Sequence, residues 1–415
     1  MSNKRDIVIA GGGMVGLSLA LQLGATLPRH TSICLVEGFA LPQAAPGERP
    51  QYHPSFDARS TALSYSSRLI YERLGLWGEL EHWLCPIETL HVSMKGRFGS
   101  SLLDAAEYGW PALGYVVENA WLGQALLRAA QCQGRVELLS PARVSAAEPA
   151  GSAVRLRLEG GSVDSLETSL LVVADGANSG LRQQLGVIVR EKPYGQHALI
   201  ANVLTDRPHG GCAFERFTDS GPLALLPLLP VSGGERRSAL VWTLDPRRAE
   251  YLRDCPQEEF LALLQQRFGY RLGRLQRVGE RHCYPLALLQ SLEQVRRSVV
   301  VMGNAAHALH PVAGQGFNLA LRDVAGLAEV LTQALAAGRE PGELAVLQTY
   351  QQRQQADQER TIAFSDRVPF LFMHDDPALG LARDLALSGL DILPPLKRGF
   401  VRYAAGVGGG ATGRG

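Results

Sequence analysis

Residues 299–323, VVVMGNAAHALHPVAGQGFNLALRD, predict a strand, a glycine-rich turn and a helix start in direct succession. Residues 299–302 are apolar throughout, which is typical of a short buried strand. From Phe317 onward, apolar residues recur with the spacing of one helix face. Backbone N–H groups at a helix start have no partner within the helix and carry partial positive charge. We therefore expect this turn to face a ligand that carries negative charge.

The polar residues of this turn favour a binding role over simple packing. Tight packing explains a glycine at position 303 or 316, but it does not explain His307, His310, Gln315 and Asn318 beside them. The two histidines are candidate bases because imidazole titrates near neutral pH. The alternative is that both bond to backbone and shape the loop, as a His-Pro pair at a helix entry commonly does.

A second glycine cluster, GGGMVG, follows an apolar strand pattern at residues 6–10 and opens a helix pattern. The glycines have the G-x-G-x-x-G spacing, and Glu37 ends the next strand pattern about 20 positions later. Such glycines let a pyrophosphate approach the helix start, and the acid binds ribose hydroxyls. The motif alone does not distinguish FAD from NAD. The predicted nucleotide contacts are Gly11, Gly13, Met14, Val15, Gly16 and Glu37.

The run HPVAGQGFN, followed by RD, closely resembles the signature of the FAD-dependent aromatic hydroxylases of ubiquinone biosynthesis. The run DGANSGLR at residues 175–182 resembles a second fingerprint of that family, which simple NAD dehydrogenases lack. Other stretches, such as LDAAEYGWPALGYVVEN, look like its 2-polyprenyl-6-methoxyphenol hydroxylase branch. Asn304 is a departure, because relatives usually have an aspartate there that holds the ribityl chain of FAD. Asparagine keeps an acceptor at that position. Ala320, often glycine in the family, is a second departure.

The resemblance implies an α/β fold with a Rossmann-like FAD-binding domain similar to that of p-hydroxybenzoate hydroxylase. An antiparallel-sheet substrate domain is inserted into it, and helices follow at the C-terminus. Strand patterns separated by Gly, Pro and charged turns support such a sheet, and prolines 222, 227 and 230 predict edge or bulged strands. The expected boundaries are 1–75, 113–185 and 284–345 for the FAD-binding domain, 76–112 and 186–283 for the substrate domain, 346–405 for the C-terminal helices and 406–415 for a flexible tail.

The resemblance also implies further contacts to FAD. Arg59 would lie near the phosphates, where its planar guanidinium can bind two oxygens at once. Gln124 would contact the nucleotide from a helix. Taken without the resemblance, Arg59 is equally well a solvated arginine and Gln124 a surface glutamine. The other implied contacts are Asp175, Arg182, Gly303, Asn304, Pro311, Gly314, Gly316, Phe317 and Asn318.

The implied reaction is reduction of FAD by NAD(P)H, reaction with O₂ to a flavin C4a-hydroperoxide, and oxygen transfer to a polyprenyl phenol ring. The cofactor supplies this chemistry, so no nucleophilic triad is needed. The predicted catalytic residues are Gln315, Gly316 and His310, because the helix start there would stabilise negative charge on the reduced flavin. Three alternatives stay open: hydroxylation at another ring carbon, a flavin reductase without O₂ insertion, and a non-catalytic flavoprotein subunit of a quinone-biosynthesis assembly.

Composition argues against several other classes of protein. The formal net charge is +1, so bulk electrostatics give no reason to expect a nucleic-acid partner. The six cysteines form no CxxC pair, which argues against a zinc site or a disulfide framework. No metal is expected. There is no signal-peptide pattern and no apolar run near the ~20 residues that span a bilayer. We therefore expect a cytoplasmic protein and leave self-association open.

The C-terminal segment, residues 368–403, is unusually apolar, and Lys397, Arg398 and Arg402 lie within it. A polyprenyl chain partitions into hydrocarbon, so this segment is a candidate groove for the chain. It is equally a candidate for peripheral contact with the inner membrane or with lipid-binding partner proteins of a ubiquinone-biosynthesis complex. The alternative is that it covers the core of the nucleotide domain. The preceding polar helix pattern, residues 343–368, is expected to be a solvated face.

Overall fold

The computed structural model describes residues 3–42, 59–95, 100–230, 236–311, 314–373 and 394–407. Its first sheet is mixed, with parallel strands at the centre and an antiparallel hairpin and strand at the margins. The strands are β1 (Lys4–Ala10), β2 (Ile33–Val36), β8 (Val136–Leu139), β9 (Arg143–Ala150), β10 (Ala153–Glu159), β11 (Ser165–Val173), β18 (Val295–Arg296) and β19 (Val299–Val301).

The parallel order is β8–β2–β1–β11–β19, as in a nucleotide-binding fold. Alternation along β1 divides the core, because successive side chains of a strand point to opposite faces. Ile7 and Ile9 pack against one group of helices, and Val8 and Ala10 pack toward β9 and β10. The helices on the first face are α1 (Met14–Thr26), α4 (Asn119–Gln133) and α8 (Gln315–Ala336).

The second sheet is largely antiparallel. Its strands are β5 (Thr89–Met94), β6 (Ser100–Asp104), β12 (Val189–Thr205), β13 (Cys212–Thr218), β14 (Gly221–Pro227), β15 (Arg237–Leu244), β16 (Leu275–Val278), β17 (His282–Ser291) and β20 (His307–Ala308). One face buries Phe214, Leu225 and Trp242 against two helices. Those helices are α6 (Pro246–Asp254) and α7 (Gln257–Phe268).

The proline prediction was wrong for β14. This strand lies inside the sheet, between β13 and β15, and not at an edge. Pro222 and Pro227 are tolerated because they stand at the two ends of the strand, where few ladder hydrogen bonds are lost.

A small third sheet joins β3 (Ser60–Ser64), β4 (Cys85–Ile87) and β7 (Gly114–Glu118). Apolar spacing in residues 56–77 predicts a helix with Ser60 or Thr61 near its cap. That start is wrong, because residues 60–64 pair with β7 and tertiary pairing overrides the local helix signal. The helix α2 (Tyr65–Arg73) starts later, and the Ser64 hydroxyl caps it by accepting from the Ser67 amide. The short helix α3 (Trp77–Leu80) follows α2. A second short helix, α5 (Gly180–Gln184), follows β11 of the first sheet.

The long helix α9 (Leu344–Met373) packs on α8 and is not the solvated face that its polar sequence predicts. Gln354, Gln358, Thr361 and Ser365 are buried. They are tolerated inside because the buried glutamine amides bond to groups of α8, among them the carboxylate of Asp323.

The last helix, α10 (Pro394–Ala404), returns to the start of α8. The Ala404 carbonyl accepts from Gln315, and the Ala405 carbonyl accepts from the Ser66 amide. Lys397 forms an ion pair with Glu107 at 3.0 Å, so this predicted lipid-facing cation is engaged with protein. Most of the predicted apolar segment, residues 374–393, lies outside the described residues. No helix in the described ranges is long and apolar enough to cross a membrane.

Candidate active site

A cavity of about 2390 Å³ separates the first sheet from the second. The carboxyl ends of parallel strands β1, β2 and β11 open into it through Ala10, Val36 and Ala174. Ligands of open α/β sheets bind in that position, outside the carboxyl ends of the strands. The opposite wall is the exposed face of the second sheet, and the start of α8 lies between them.

The glycines of the first glycine-rich loop, residues 11–16, have two different roles. Gly11 has a φ of +115°, and a Cβ on Gly16 would lie 1.9 Å from the Gly11 carbonyl oxygen, so both serve the tight turn. Gly13 caps α1 and lines the cavity, and a Cβ there would meet no described atom within 4 Å. Gly13 is therefore the glycine that keeps space open for a ligand.

Glu37 is held in the geometry expected of a ribose-binding acid. Its side chain is buried, and its carboxylate accepts from the Gly12 amide at 2.7 Å and from the Phe39 amide at 3.0 Å. A carboxylate has further lone pairs, so it can still accept from hydroxyl groups in the cavity. The glycine motif missed Gly12, where a Cβ would lie 2.8 Å from that of Glu37.

The second fingerprint contributes Asp175 to the cavity wall but not Arg182. Burial among its neighbours raises the pKa of Asp175. Arg182 is buried in α5, and its guanidinium donates to the Ala305 carbonyl at 2.9 Å. Arg182 therefore supports the turn after β19 and is not among the residues that line the cavity, so its contact with FAD stays a prediction. The hydroxyl of Ser179 caps α5.

Gln124 is not among the residues that line the cavity. The residues of α4 that line the cavity belong to its first turn, at Asn119, Ala120 and Trp121. Gln124 lies further along the helix and is half-buried. Its contact with the nucleotide stays a prediction.

Two arginines line the cavity near the nucleotide wall. Arg59 is exposed, and its guanidinium carbon lies 5.1 Å from the ring centre of Tyr284. Arg143, which the sequence did not single out, stands at the start of β9 beside Gly180. A lone arginine before a strand carries no motif, so only the fold brings it here. Both can bind phosphate oxygens.

The start of α8 faces the cavity as predicted from its glycines. Gly314 takes the left-handed conformation at the cap, with φ +59°, and Gln315, Gly316 and Phe317 line the wall after it. A Cβ on Gly316 would meet no described atom within 4 Å. Asn304 and Pro311 also lie on the wall, whereas Gly303 packs behind it against Val15.

Asn318 lines the cavity, but its amide is fully used within the protein. Its oxygen accepts from the Ser64 amide and the Ser67 hydroxyl, at 2.8 and 2.7 Å. Its nitrogen donates to the carbonyls of Ala62 and Gly314, at 2.8 and 2.7 Å. A carboxamide offers two donors and two acceptor lone pairs, and these bonds within the protein use all of them. In this structure the Asn318 side chain therefore clamps α8 against β3, and its contact with the cofactor stays a prediction.

The placement of the two histidines favours the structural alternative. His310 lines the cavity, and its ring makes an edge-to-face contact with Tyr194 at 5.1 Å. Burial lowers the pKa of His310 to about 4, so its imidazole is a weak base near neutral pH. His307 is fully buried behind the wall and bonds to Asp323 at 2.8 Å.

The wall formed by the second sheet is mostly apolar. It presents aliphatic side chains from several strands, among them Leu90, Val92, Leu103, Leu226, Val241 and Ile200. Such a surface excludes water and can pack against an aromatic ring or a hydrocarbon chain. A single carboxylic acid, Glu215, interrupts it. Nothing in the sequence around position 215 marks that residue.

The described residues fit FAD. Gly13 and Gly316 leave space that any larger side chain would fill, Glu37 offers a fixed carboxylate, and Arg59 and Arg143 offer cations. The cavity holds both this polar wall and an apolar one, as a dinucleotide and an aromatic substrate together require. Among the described residues, no group of His, Cys, Asp and Glu is arranged to hold a metal ion.

Comparison with known proteins agrees with this reading. Residues 49–365 match the family described as FAD binding domain. The chain is 35% identical to the ubiquinone hydroxylase UbiL of Rhodospirillum rubrum, over 97% of this chain and 89% of that protein. It is 32% identical to the 3-demethoxyubiquinol 3-hydroxylase of Escherichia coli, over 98% of this chain and all of that protein.

The fold is shared with the crystal structure of p-nitrophenol 4-monooxygenase PnpA from Pseudomonas putida. That structure is 18% identical, with a TM-score of 0.78 over 99% of this chain and 100% of that one. The fold and family predictions are confirmed. The chain therefore belongs to the FAD-binding-domain family, within the branch of FAD-dependent ubiquinone-biosynthesis hydroxylases, and its cofactor is FAD.

Proposed function

We propose that this chain is a monooxygenase that hydroxylates the ring of a prenylated phenol in ubiquinone biosynthesis. The observation that carries the proposal is the cavity, which joins a nucleotide-binding wall to an apolar sheet face. Two similar proteins, at 35% and 32% identity, are named as a ubiquinone hydroxylase and a 3-demethoxyubiquinol 3-hydroxylase.

The residues proposed to hold FAD are those predicted contacts that lie on the cavity wall. They are Gly11, Gly13, Met14, Val15, Glu37, Arg59, Asp175, Asn304, Pro311, Gly314, Gly316 and Phe317. Gly16, Gly303 and Arg182 would act indirectly, by shaping the loops that carry these residues.

Each wall has a distinct part in the proposed reaction. Bound FAD, reduced by NAD(P)H, supplies the chemistry that places one atom of O₂ on the ring, while the other atom leaves as water. Backbone amides at the start of α8 stabilise negative charge near Gln315 and Gly316. The apolar sheet face orients the ring and excludes water.

Gly316→Val and Gln315→Leu are expected to lower hydroxylation per bound flavin at least about 10-fold, a larger loss than any loss of FAD affinity. Valine at 316 would project into open cavity space, and leucine at 315 would remove the bond to the Ala404 carbonyl. The measurements are bound flavin per chain and product formed per flavin. Gln333→Leu is the matched control, because Gln333 is exposed on the same helix and its side chain bonds to Glu329 of the same helix face. Parallel losses of flavin and turnover would make the loop purely structural.

The function is tested by reducing the flavin-loaded protein without oxygen, using NADH and NADPH separately. Oxygen labelled with ¹⁸O is then added with a short-chain prenyl-methoxyphenol, and the product is identified by mass and NMR. One labelled oxygen on the ring supports the proposal, and the NMR assignment gives the ring carbon. A product without label would indicate a reductase. Hydrogen peroxide without any phenol product would favour a non-catalytic flavoprotein subunit.

The proposal also covers the position of the prenyl chain and contact with a membrane or a partner protein. The substrate's prenyl chain would lie along the apolar sheet face or leave the cavity toward a lipid surface. Peripheral contact with the inner membrane, or with a lipid-binding partner protein, remains a proposal that rests on the apolar C-terminal sequence. Arg398 and Arg402 are exposed on α10 and could contact anionic head groups.

A further inference from the structure

Glu215 occupies an unusual position on strand β13. Alternate residues of this strand point to opposite faces of the sheet, so Phe214 packs against Phe268 while Ala213, Glu215 and Phe217 line the cavity. The strand therefore places a carboxylic acid on the apolar wall, opposite the nucleotide-binding side.

The register of the sheet shows how isolated this acid is. Glu215 is paired with Val92 on one side and with Ala224 on the other. Beyond Ala224, the row continues through one apolar residue on each of the next two strands and then reaches His282. His282 is four strands from Glu215, which corresponds to roughly 19 Å. In order, the row is Ser101, Val92, Glu215, Ala224, Val241, Ile200 and His282, and every member lines the cavity.

The carboxyl group of Glu215 has no hydrogen-bond or ion-pair partner among the described residues. Burial in these apolar surroundings raises the pKa of Glu215 to about 7. An acid that is desolvated without compensation lowers stability, so its presence favours a role in the function of the site. Small Ala224 beside it leaves room for a group to approach the carboxyl.

The other carboxylic acids that line the cavity are engaged with protein groups or lie on other parts of its wall. Glu118 forms a bidentate ion pair with Arg237, at 3.0 and 2.7 Å. Glu37 accepts from two backbone amides. Glu280 is exposed at the rim next to His282. His310 is the weak base described above, and Asp175 lies at the nucleotide wall. Glu215 is thus the acid placed to meet a ring that lies on the apolar face.

We propose that Glu215 binds the hydroxyl group of the phenol and accepts its proton during hydroxylation. This inference rests on the proposed function and adds the residue that recognises the phenol. A phenol, with a pKa of about 10, is mostly protonated near neutral pH, and its ring donates electrons better as the proton leaves. The phenolic O–H bond breaks and an O–H bond forms on Glu215 while the ring carbon gains its C–O bond.

Proton and electron balance follow from the overall reaction. The ring carbon that gained oxygen loses its hydrogen as a proton when aromaticity returns. That proton replaces the one that the phenol oxygen gave to Glu215, so the product carries two hydroxyl groups. The proton on Glu215 goes to the water formed from the second oxygen atom. The two electrons needed come from NAD(P)H through FAD, so no further reductant is required.

The first test uses a coloured phenol and needs no turnover. 4-Nitrophenol is bound to FAD-loaded wild-type protein and to Glu215→Gln, and the ionisation of the bound dye is followed by difference absorbance against pH. A carboxylate beside the dye disfavours phenolate, so the bound dye should ionise at lower pH in Glu215→Gln, by on the order of 1 pH unit. Glu215→Asp keeps the charge and should retain the wild-type direction.

The second test is the pH dependence of hydroxylation. Glu215→Gln is expected to lower turnover at least about 100-fold with unchanged FAD content, and to remove the acid limb of the pH profile. Glu280→Gln is the matched control, because it makes the same substitution at the exposed rim of the cavity and should leave both unchanged.

The two tests separate this inference from the proposed function. Absence of dye binding to the wild type, or the same dye titration in Glu215→Gln, would overturn the role of Glu215 even if the enzyme hydroxylates phenols. A wild-type protein that shows the dye shift but hydroxylates no phenol would instead contradict the proposed reaction while leaving the phenol site in place.

Discussion

Replacing Asp323 by alanine is expected to lower the free energy of unfolding of the FAD-loaded protein by about 3–5 kcal/mol. Asp323 and His307 are 1% and 0% exposed, and His307 Nε2 lies 2.8 Å from the carboxylate. An ionised carboxylate only accepts, so Nε2 carries the hydrogen. Gln354 and Gln358 also donate to the other carboxylate oxygen, at 3.2 and 3.0 Å.

The large expected effect comes from what the substitution leaves behind. Without the carboxylate, a ring N–H and two amide groups lose an acceptor in a region closed to water, and unpaired buried donors cost more than the bonds themselves contributed. Gln358 in turn accepts from Gln294, so the network links α9 to the strands before the flavin-facing turn. We infer that it holds that turn, which contains His307, against α8.

The measurement is the thermal midpoint of the flavin-loaded protein at a fixed excess of FAD, which keeps ligand stabilisation constant. A loss of this size should lower the midpoint by about 5 °C for a chain of this length. Glu329→Ala is the control, because Glu329 lies on the same helix, pairs with Arg353 at the solvent-exposed surface and should contribute about 1 kcal/mol or less. Equal midpoints for the two variants would show that the buried network adds nothing.

Local motifs explain why the cofactor side could be predicted from sequence. Gly11, Gly13 and Glu37 act through backbone turns and a fixed spacing, and the structure places all three on the cavity wall. The same holds for the start of α8, where Gly314 and Gly316 respond to backbone constraints within a few residues. The confirmed fold and family predictions rest on such short-range signals.

Long-range packing gives some residues contacts that the sequence does not show. Arg182 and Asn318 stand at motif positions, but partners more than a hundred residues away take up their hydrogen bonds. Gln354 and Gln358 resemble surface residues in the sequence, because no local pattern shows that a polar side chain has a hydrogen-bond partner inside the protein. The row that contains Glu215 is assembled from seven strands spread over much of the chain, so only the register reveals its isolation.

Gly13→Val is expected to yield a folded protein whose affinity for FAD falls at least about 100-fold, close to 3 kcal/mol. A Cβ at Gly13 would meet no described atom within 4 Å, so the apoprotein can accommodate the side chain. The space it would fill is the cap of α1, where backbone amides are available to the pyrophosphate. The branched valine side chain would prevent the pyrophosphate of FAD from reaching those backbone amides.

The contrast with two other glycines makes the test specific. Gly78→Val is the matched control, since Gly78 is exposed, has no described atom near its Cβ position and lies away from the cavity wall. It should bind FAD like the wild type. Gly16→Val should instead impair folding, because its Cβ would overlap the Gly11 carbonyl. Bound flavin, affinity by titration of the apoprotein, and far-UV circular dichroism distinguish the three. Full flavin occupancy in Gly13→Val would place the pyrophosphate elsewhere and remove the basis for assigning this loop to FAD.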